Sequence, residues 1–243
     1  MDTYVSFATI RDNLECVQER IIKAAQSAGR RSDSVTLVVV TKGHSLERVR
    51  AVVEAGAHRL GENYVEEALE KIVSLKGRIG VEWHMIGHIQ SRKANPVCVY
   101  FDYVHSLDSL KLATRLNRFA EELGKRLPVL LECNVSGEQS KFGFPVWEES
   151  LLGAFFDQAA QIASMAHLDV RGLMTMAPYS EDSELARPYF RRLARLRDAL
   201  SARAPQSQWN ELSMGMSGDF ETAIQEGATI VRIGQAILGA RPA

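Results

Sequence analysis

Short runs of aliphatic and β-branched residues alternate with longer amphipathic segments along almost the entire chain. The runs at 35–41 and 128–135 are nearly continuous apolar stretches, as expected for strands that are buried on both faces of a parallel sheet. The segments between such runs carry apolar residues at helical spacing. Repeated strand–helix alternation predicts a parallel sheet whose strands are joined by right-handed crossovers.

One leading helix, predicted at 6–28, precedes eight strand–helix units. The strands are predicted at 35–41, 58–61, 82–86, 102–105, 128–135, 168–175, 209–213 and 228–233. The helices between them are predicted at 45–56, 64–76, 90–98, 107–123, 146–165, 182–203 and 218–226, and the last strand leads into a short terminal turn, GQAILGA. Eight units in a chain of 243 residues fit a (β/α)8 TIM barrel, with a doubly wound open sheet as the alternative. Because no linker-like or low-complexity stretch interrupts the pattern, residues 1–243 are predicted to form one domain.

Residues that favour helix ends mark several of these boundaries. Ser45 is predicted to cap the helix that follows the first strand, and Gly56 to end it. Ser106 or Asp108 is predicted to cap the helix at 107–123.

The charge of the chain is balanced, with 29 Lys and Arg against 30 Asp and Glu. Sequence-independent binding of nucleic acid normally needs a basic excess, so we expect no nucleic-acid partner. A hydrophobic content of 46% excludes disorder for most of the chain.

The cysteines and the N-terminal segment bear on location. Cys16, Cys98 and Cys133 are far apart and form no disulfide framework, which is typical of a reducing compartment. The N-terminal segment lacks the basic and apolar regions of a secretory signal, and no apolar stretch approaches the length of a membrane span. We therefore expect a cytoplasmic protein with no membrane association.

A lysine, Lys42, directly follows the first predicted strand. In a barrel, functional residues lie in the loops at the carboxyl ends of the strands, and here that loop reads Thr41-Lys42-Gly43-His44. Burial favours the neutral amine, which can attack an aldehyde and form a Schiff base. The alternative is a lysine whose side chain simply extends from the strand end into solvent.

The last two strand–helix loops contain the residues of an anion site. Ser213 and Ser217 lie in a Ser- and Gly-rich loop, and Gly234 in the next loop allows close backbone approach. Barrels often bind phosphate between these two loops. The alternative for the first loop is a plain turn in which Ser217 or Asp219 caps the following helix.

A neutral lysine and an anion site at the same barrel mouth suggest a cofactor that has both an aldehyde and a phosphate. Pyridoxal 5′-phosphate is such a cofactor. Arg232, in the last strand, would then face the pyridine nitrogen, a position usually taken by Asp or Arg. Asn63, which follows the second strand, would reach the cofactor by a hydrogen bond.

Two further features have competing interpretations. His84 and His88 are four residues apart, a spacing found in metal sites on helices, but no third ligand fits and a strand would separate the pair. We therefore expect no metal. Lys141, in the polar loop after the fifth strand, is interpreted as a solvated lysine rather than a second lysine of the site.

Eight segments, in order from about residue 36 to 241, carry a resemblance to a known family. They are VVVTKGHS, GENYVEE, WHMIGHIQSRK, HSLDS, NVSGEQSKFG, GLMTMAP, LSMGMSGDFETAI and VRIGQAILGAR. The chain resembles the YggS/PROSC family of pyridoxal phosphate homeostasis proteins. It departs from the family pattern IGxLQxNK at Ile89, where Leu is usual, and at Arg92, where Asn is usual, and we expect both departures to affect the rim of the site rather than cofactor binding.

The resemblance implies a barrel like the N-terminal domain of alanine racemase, with pyridoxal phosphate held as a Schiff base on Lys42. It implies phosphate binding by Ser213, Ser217 and Gly234, with Asn63 and Arg232 around the ring. The family has no firmly established enzymatic activity. It is regarded as carrying and buffering pyridoxal phosphate inside the cell, with apoenzymes that depend on this cofactor as recipients.

A small amino-acid racemase is the alternative class. Racemisation needs acid–base groups on both faces of the reacting carbon. The chain ends at Ala243, soon after the eighth strand, so we expect no second domain to supply a further base, and we expect a monomer. An arginine at the ring nitrogen would also make the ring a poorer electron sink. Tyr64 and His88 are the alternative bases.

Overall fold

The computed structural model describes residues 6–77, 80–204 and 207–241. Within them the strands are β1 (Thr36–Val40), β2 (Arg59–Glu62), β3 (Glu82–Met85), β4 (Tyr103–Leu107), β5 (Leu127–Asn134), β6 (Phe144–Pro145), β7 (Leu168–Met174), β8 (Glu211–Ser213) and β9 (Ile230–Ile233). The α-helices are α1 (Phe7–Ser27), α2 (Leu46–Glu54), α3 (Val65–Ser74), α4 (Ala94–Tyr100), α5 (Leu110–Glu122), α6 (Leu152–Ala163), α7 (Arg187–Arg203), α8 (Phe220–Gln225) and α9 (Gln235–Leu238).

Eight of these strands close into a parallel barrel. The ring runs β1–β2–β3–β4–β5–β7–β8–β9 and returns to β1, where Val38 pairs with Arg232. The β4–β5 pairing joins the two halves of the ring. The predicted (β/α)8 barrel is therefore confirmed, and the open sheet is ruled out because closure pairs the strands that would otherwise be its edges.

The leading helix α1 packs on the outside of the barrel against α2, α8 and α9. Its buried face carries Ile10, Leu14, Val17 and Ile21, which are spaced as the helical period requires. Asn13 donates a hydrogen bond to the carbonyl of Ile237 at 3.1 Å. The helix thus supports the segment that follows the last barrel strand.

Two predicted helix ends are confirmed and one is wrong. The Ser45 side chain accepts from the Arg48 N–H at the start of α2, and Gly56 follows α2 with a φ of 102°. The cap of α5 is Ser109 rather than Ser106 or Asp108. Ser106 instead belongs to β4, where it is buried and donates to the Gly87 carbonyl at 2.6 Å.

The segment between β5 and α6 differs from the prediction. A short strand, β6, pairs with the end of β5 beyond the barrel. The helix predicted at 146–165 begins only at Leu152, after a 3-10 turn at Glu149–Leu151. The helix predicted at 182–203 likewise begins at Arg187, after a 3-10 turn at Ser183–Ala186. Helix starts of this kind shift because the first turn is set by local contacts rather than by the apolar period.

Among the described residues, none of the helices is long and apolar enough to cross a membrane.

Candidate functional site

A cavity of about 1010 Å³ opens at the carboxyl ends of the barrel strands. Loops after seven of the eight barrel strands contribute to its wall, as the fold leads one to expect. Five of the six site residues predicted from the sequence lie on that wall: Lys42, Asn63, Ser217, Arg232 and Gly234. Ser213 is the sixth, and it lies elsewhere.

Lys42 lies two residues beyond the end of β1 and is half-buried in the wall of the cavity. Burial lowers the pKa of its amine, and the positive charges of Arg241 and Arg232 lower it further. The carboxylates of Glu62 and Glu67 oppose this effect. The surroundings of Lys42 therefore increase the share of the neutral amine, which is the form that reacts with an aldehyde.

Arg232 points from β9 into the floor of the cavity and is 4% exposed. Its Nη1 donates to the Ser213 hydroxyl at 2.5 Å, and its Nη2 donates to the carbonyl of Thr175 at 2.9 Å. Burial lowers the pKa of the guanidinium to about 10, while Glu132 and Asp219 oppose that shift. Arg232 remains a charged hydrogen-bond donor at neutral pH.

Ser213 lies beneath the cavity rather than on its wall. Its side chain is fully buried, and its hydroxyl contacts Arg232 on one side and His105 Nδ1 at 2.9 Å on the other. The structure therefore gives Ser213 protein partners where the sequence predicted a phosphate. Its role as a phosphate ligand stays a prediction, and its observed contacts favour a role in holding Arg232.

The hydrogen bonds continue from Ser213 through the barrel interior to two histidines. His105 Nε2 lies 2.9 Å from His84 Nδ1, and His84 Nε2 lies 3.9 Å from Glu82 Oε2. Because an arginine cannot accept, we assign the proton of the buried Ser213 hydroxyl to a hydrogen bond with His105 Nδ1, its other observed partner. His105 then carries its proton on Nε2 and donates to His84, which fixes the direction of the whole chain.

This direction agrees with the electrostatics of His105. Burial, together with the positive charge of Arg232, holds the pKa of His105 well below its ordinary value. A neutral His105 can accept from Ser213, whereas a protonated one would leave the buried Ser213 proton with no acceptor among its observed partners.

Ser217 and Gly234 lie where the loops after β8 and β9 approach β1. The Ser217 hydroxyl accepts from the Ala236 N–H at 3.3 Å, which joins the two loops. A Cβ atom added at Gly234 would lie 3.0 Å from the carbonyl oxygen of Val40, so a side chain there would press on β1. The absence of a side chain lets the loop backbone line the cavity.

Asp219 directly precedes α8, but its carboxylate does not cap that helix. It accepts instead from the N–H of Met216 at 2.6 Å and so closes the loop as a turn. Ser217 is left at the cavity wall. The alternative of a helix cap by Ser217 or Asp219 is therefore wrong, although Asp219 does close a turn in this loop.

Asn63 follows β2 and is held by a close backbone contact. A Cβ atom added at Gly87 would lie 2.5 Å from the Asn63 carbonyl oxygen and 2.6 Å from its Cα. Only glycine fits this approach between the loops after β2 and β3.

Glu132 is a cavity residue that the sequence analysis missed. It is on β5, is 3% exposed, and its Oε2 has no hydrogen-bond partner among the described residues. Burial, with the nearby charge of Asp108, raises the pKa of Glu132 to about 7, and Arg232 opposes the shift. The available signal was a glutamate in an otherwise apolar strand, PVLLECNV.

The rim is aromatic and polar. His88 stacks on Phe142 with ring centroids 3.7 Å apart, and its Nδ1 lies 2.8 Å from Asp108 Oδ2. Tyr64 is also on the rim and is 63% exposed. His84 is deep in the barrel and His88 at its mouth, and no group of three metal-binding side chains occurs among the described residues.

Lys141 is not a solvated lysine. Its side chain is 18% exposed, and its amine lies 2.5 Å from Glu138 and donates to the Met176 carbonyl at 3.1 Å. That interpretation of the sequence was wrong, because the loop after β5 folds back toward β7.

Comparison with known proteins identifies the class of domain to which this barrel belongs. Residues 6–242 match the family model described as "Alanine racemase, N-terminal domain". An alanine racemase of Clostridium difficile has a similar structure, with a TM-score of 0.70 over 97% of this chain and 57% of its own. At 17% sequence identity, that likeness concerns the fold alone.

Relatives with higher sequence identity identify the family within this class. A protein of Pasteurella multocida named "Pyridoxal phosphate homeostasis protein" is 39% identical over 96% of this chain and 98% of its own length. A protein of Escherichia coli K12 with the same name is 39% identical over 96% and 97%. The chain therefore belongs to the family of pyridoxal phosphate homeostasis proteins, as the eight sequence segments indicated.

Solved structures agree with this membership. PipY of Synechococcus elongatus without pyridoxal phosphate has a TM-score of 0.84 and 31% identity, and covers 95% of this chain and 100% of its own. PipY with pyridoxal phosphate bound has a TM-score of 0.81 and 32% identity over the same shares.

Proposed function

We propose that this protein binds pyridoxal 5′-phosphate and serves to carry and buffer it in the cell. The names of its relatives and the PipY structure with bound cofactor support the proposal. The observation that carries it is the placement of Lys42, a half-buried amine with a lowered pKa, on the same cavity wall as Ser217 and Gly234.

The residues present fit the three polar groups of this cofactor. The neutral amine of Lys42 suits the aldehyde, and the charged guanidinium of Arg232 suits the ring nitrogen as an acceptor. Ser217 and the backbone at Gly234 suit the phosphate. Asn63 also lines the cavity, where its side-chain amide suits a hydrogen bond to the cofactor. The six-residue set predicted from the sequence is retained, with Ser213 placed behind Arg232.

When bound, the cofactor would supply an aldehyde, and the Lys42 amine would be the group that holds it by reversible condensation. The chain's part is to hold it and release it. Arg232 can only donate, so it would leave the ring nitrogen of the cofactor unprotonated, and the ring would be a poor electron sink. The mouth is open beside Tyr64, which admits water and weakens the electrostatics that a catalyst needs. We therefore propose a carrier without a catalytic residue.

Amino-acid racemisation is the second candidate. Tyr64 and His88 both line the cavity, but Asp108 already holds His88 at 2.8 Å. Exchange of the Cα proton of alanine in deuterated water, followed by NMR, decides between the two. Wash-in at several turnovers per second that Lys42→Ala abolishes would make the protein an enzyme.

Partners and location follow from the same proposal. We propose apoenzymes that need pyridoxal phosphate as recipients, and residues 1–243 as one domain that works as a monomer, since one barrel supplies all the residues proposed to line the site. Cys16, Cys98 and Cys133 are all free thiols, which supports a reducing, cytoplasmic location.

The direct test is attachment of the cofactor. Wild-type protein mixed with pyridoxal phosphate should show the absorbance of the bound cofactor, and borohydride should fix it on Lys42. Lys42→Ala should lose the band, whereas Lys141→Ala should keep it. Peptide mapping that finds the pyridoxyl group on Lys141, or on no lysine, would overturn the assignment.

A further inference from the structure

The loop that presents Lys42 is held by a buried group of charges behind it. We call Glu62, Glu67 and Lys71 the loop clamp. Lys71 and Glu67 lie one turn apart on α3, and Glu62 is the last residue of β2. The side chains of Lys71 and Glu62 are 5% and 0% exposed, and that of Glu67 is 30% exposed.

The clamp contacts the backbone on both sides of Lys42. The Lys71 amine donates to the carbonyl of Thr41 at 2.8 Å. The Glu67 carboxylate accepts from the N–H of Gly43 at 2.5 Å. The residues directly before and after Lys42 are therefore fixed by two side chains of a single helix.

The clamp is also internally bonded. Lys71 Nζ lies 2.7 Å from Glu62 Oε1 and 2.6 Å from Glu67 Oε1, and the Thr41 hydroxyl donates to Glu62 at 2.7 Å. Burying such charges costs free energy unless each is paired, and an apolar core would fill this space at least as well. The contacts of the loop clamp with the backbone of Thr41 and Gly43 explain why charged side chains are buried at this position.

We propose that Lys71 and Glu67 are positioning residues for Lys42, which fix the loop so that the amine meets the aldehyde of its ligand in a reactive geometry. The inference rests on the proposed function. A shift of about 1 Å in such a geometry can slow a reaction by roughly two orders of magnitude.

The charges that face Lys42 provide a second, separate test of the loop clamp, because they set the pKa of the Lys42 amine. They come from Arg232 on β9, Arg241 after α9, Glu62 on β2 and Glu67 on α3. The carboxylate of Glu67 raises the pKa of Lys42, so its removal should lower that pKa. The charge effect changes the pH midpoint of reaction, whereas the positioning effect changes the rate reached at high pH.

The test measures the rate at which Lys42 attaches pyridoxal phosphate, as a function of pH, in Glu67→Ala, Glu67→Gln and Lys71→Met. Glu70→Ala and Lys76→Met are the matched controls, because both residues are exposed on or just after α3. The rate at high pH should fall about tenfold or more in Glu67→Ala and Lys71→Met. Glu67→Gln should be intermediate, since its amide oxygen can still accept from Gly43. Both Glu67 variants should react with a lower pH midpoint.

Competitive acetylation with peptide mapping measures the pKa and intrinsic reactivity of Lys42 without the cofactor. Per neutral amine, acetylation should be unchanged in the variants. If the high-pH attachment rate matches wild type while only the melting temperature falls, the clamp is merely structural and the inference is wrong. If wild type itself attaches no pyridoxal phosphate but Lys42 acetylates normally, it is the proposed function that fails. Should Lys71→Met not fold, the half-buried Glu67 still provides the test.

Discussion

Arg232 donates to the Ser213 hydroxyl at 2.5 Å, and this bond distinguishes Ser213, the last residue of β8, from Ser217 in the loop that follows. Ser213 is buried behind the guanidinium, whereas Ser217 lies on the cavity wall. A serine that contacts an anion and a serine that holds an arginine have different effects on binding, so the two can be told apart by experiment.

Ser217→Ala should weaken binding of pyridoxal phosphate about tenfold or more, because a hydrogen bond to a charged group contributes roughly 1.5–3 kcal/mol. It should leave pyridoxal, which lacks the phosphate, unaffected. Ser213→Ala should weaken both ligands alike, since it acts through Arg232. Titration of each variant with both ligands gives the four Kd values. A phosphate-selective loss in Ser213→Ala would restore its predicted role as a phosphate ligand.

The histidine chain makes a prediction that needs no ligand. His105 should carry its proton on Nε2 and should not titrate across neutral pH, because burial keeps its pKa well below the ordinary value. His84 should accept at Nδ1. Long-range nitrogen–proton NMR of the imidazole rings identifies the protonated nitrogen directly. A proton on Nδ1 of either ring would contradict the direction derived from Arg232.

Glu132 should make stability depend on pH. Its pKa rises from 4.5 to about 7 on folding, so its contribution is fully present below the unfolded pKa and is lost as pH rises through the folded pKa. Between about pH 5 and about pH 8, wild type should lose roughly 2 to 3 kcal/mol relative to Glu132→Gln. Urea unfolding of both proteins at the two pH values measures this difference. Parallel pH profiles would show that Glu132 ionises normally.

Gly87→Ala should destabilise the protein by about 1–3 kcal/mol and weaken cofactor binding, because its Cβ would lie 2.5 Å from the Asn63 carbonyl oxygen. Gly153→Ala is the control, since nothing lies within 4 Å of a Cβ atom there. Its stability should be unchanged or slightly raised, as expected for alanine in a helix. Thermal unfolding compares the pair, and equal melting temperatures would show that the loops after β2 and β3 separate freely.

The barrel and most of its site could be predicted from the sequence because they depend on local patterns. Alternating apolar runs and amphipathic segments specify parallel strands and crossovers. Once the fold is a barrel, the carboxyl ends of the strands must meet at one face. Lys42, Asn63, Arg232 and Gly234 all lie at or just beyond the ends of predicted strands, and the structure places all four at the cavity.

Only the tertiary structure decided which polar side chain faces which partner. Ser213 meets His105, which is 108 positions away in the chain, and Lys71 meets the carbonyl of Thr41, 30 positions away. Such contacts depend on strand register and on how α3 packs, and neither leaves a periodic signal in the sequence. Glu132 shows the same limit. Its sequence neighbours indicate burial, but the closed barrel alone determines that its side chain lines the cavity. There Oε2 has no hydrogen-bond partner among the described residues, and burial raises the pKa of the carboxyl.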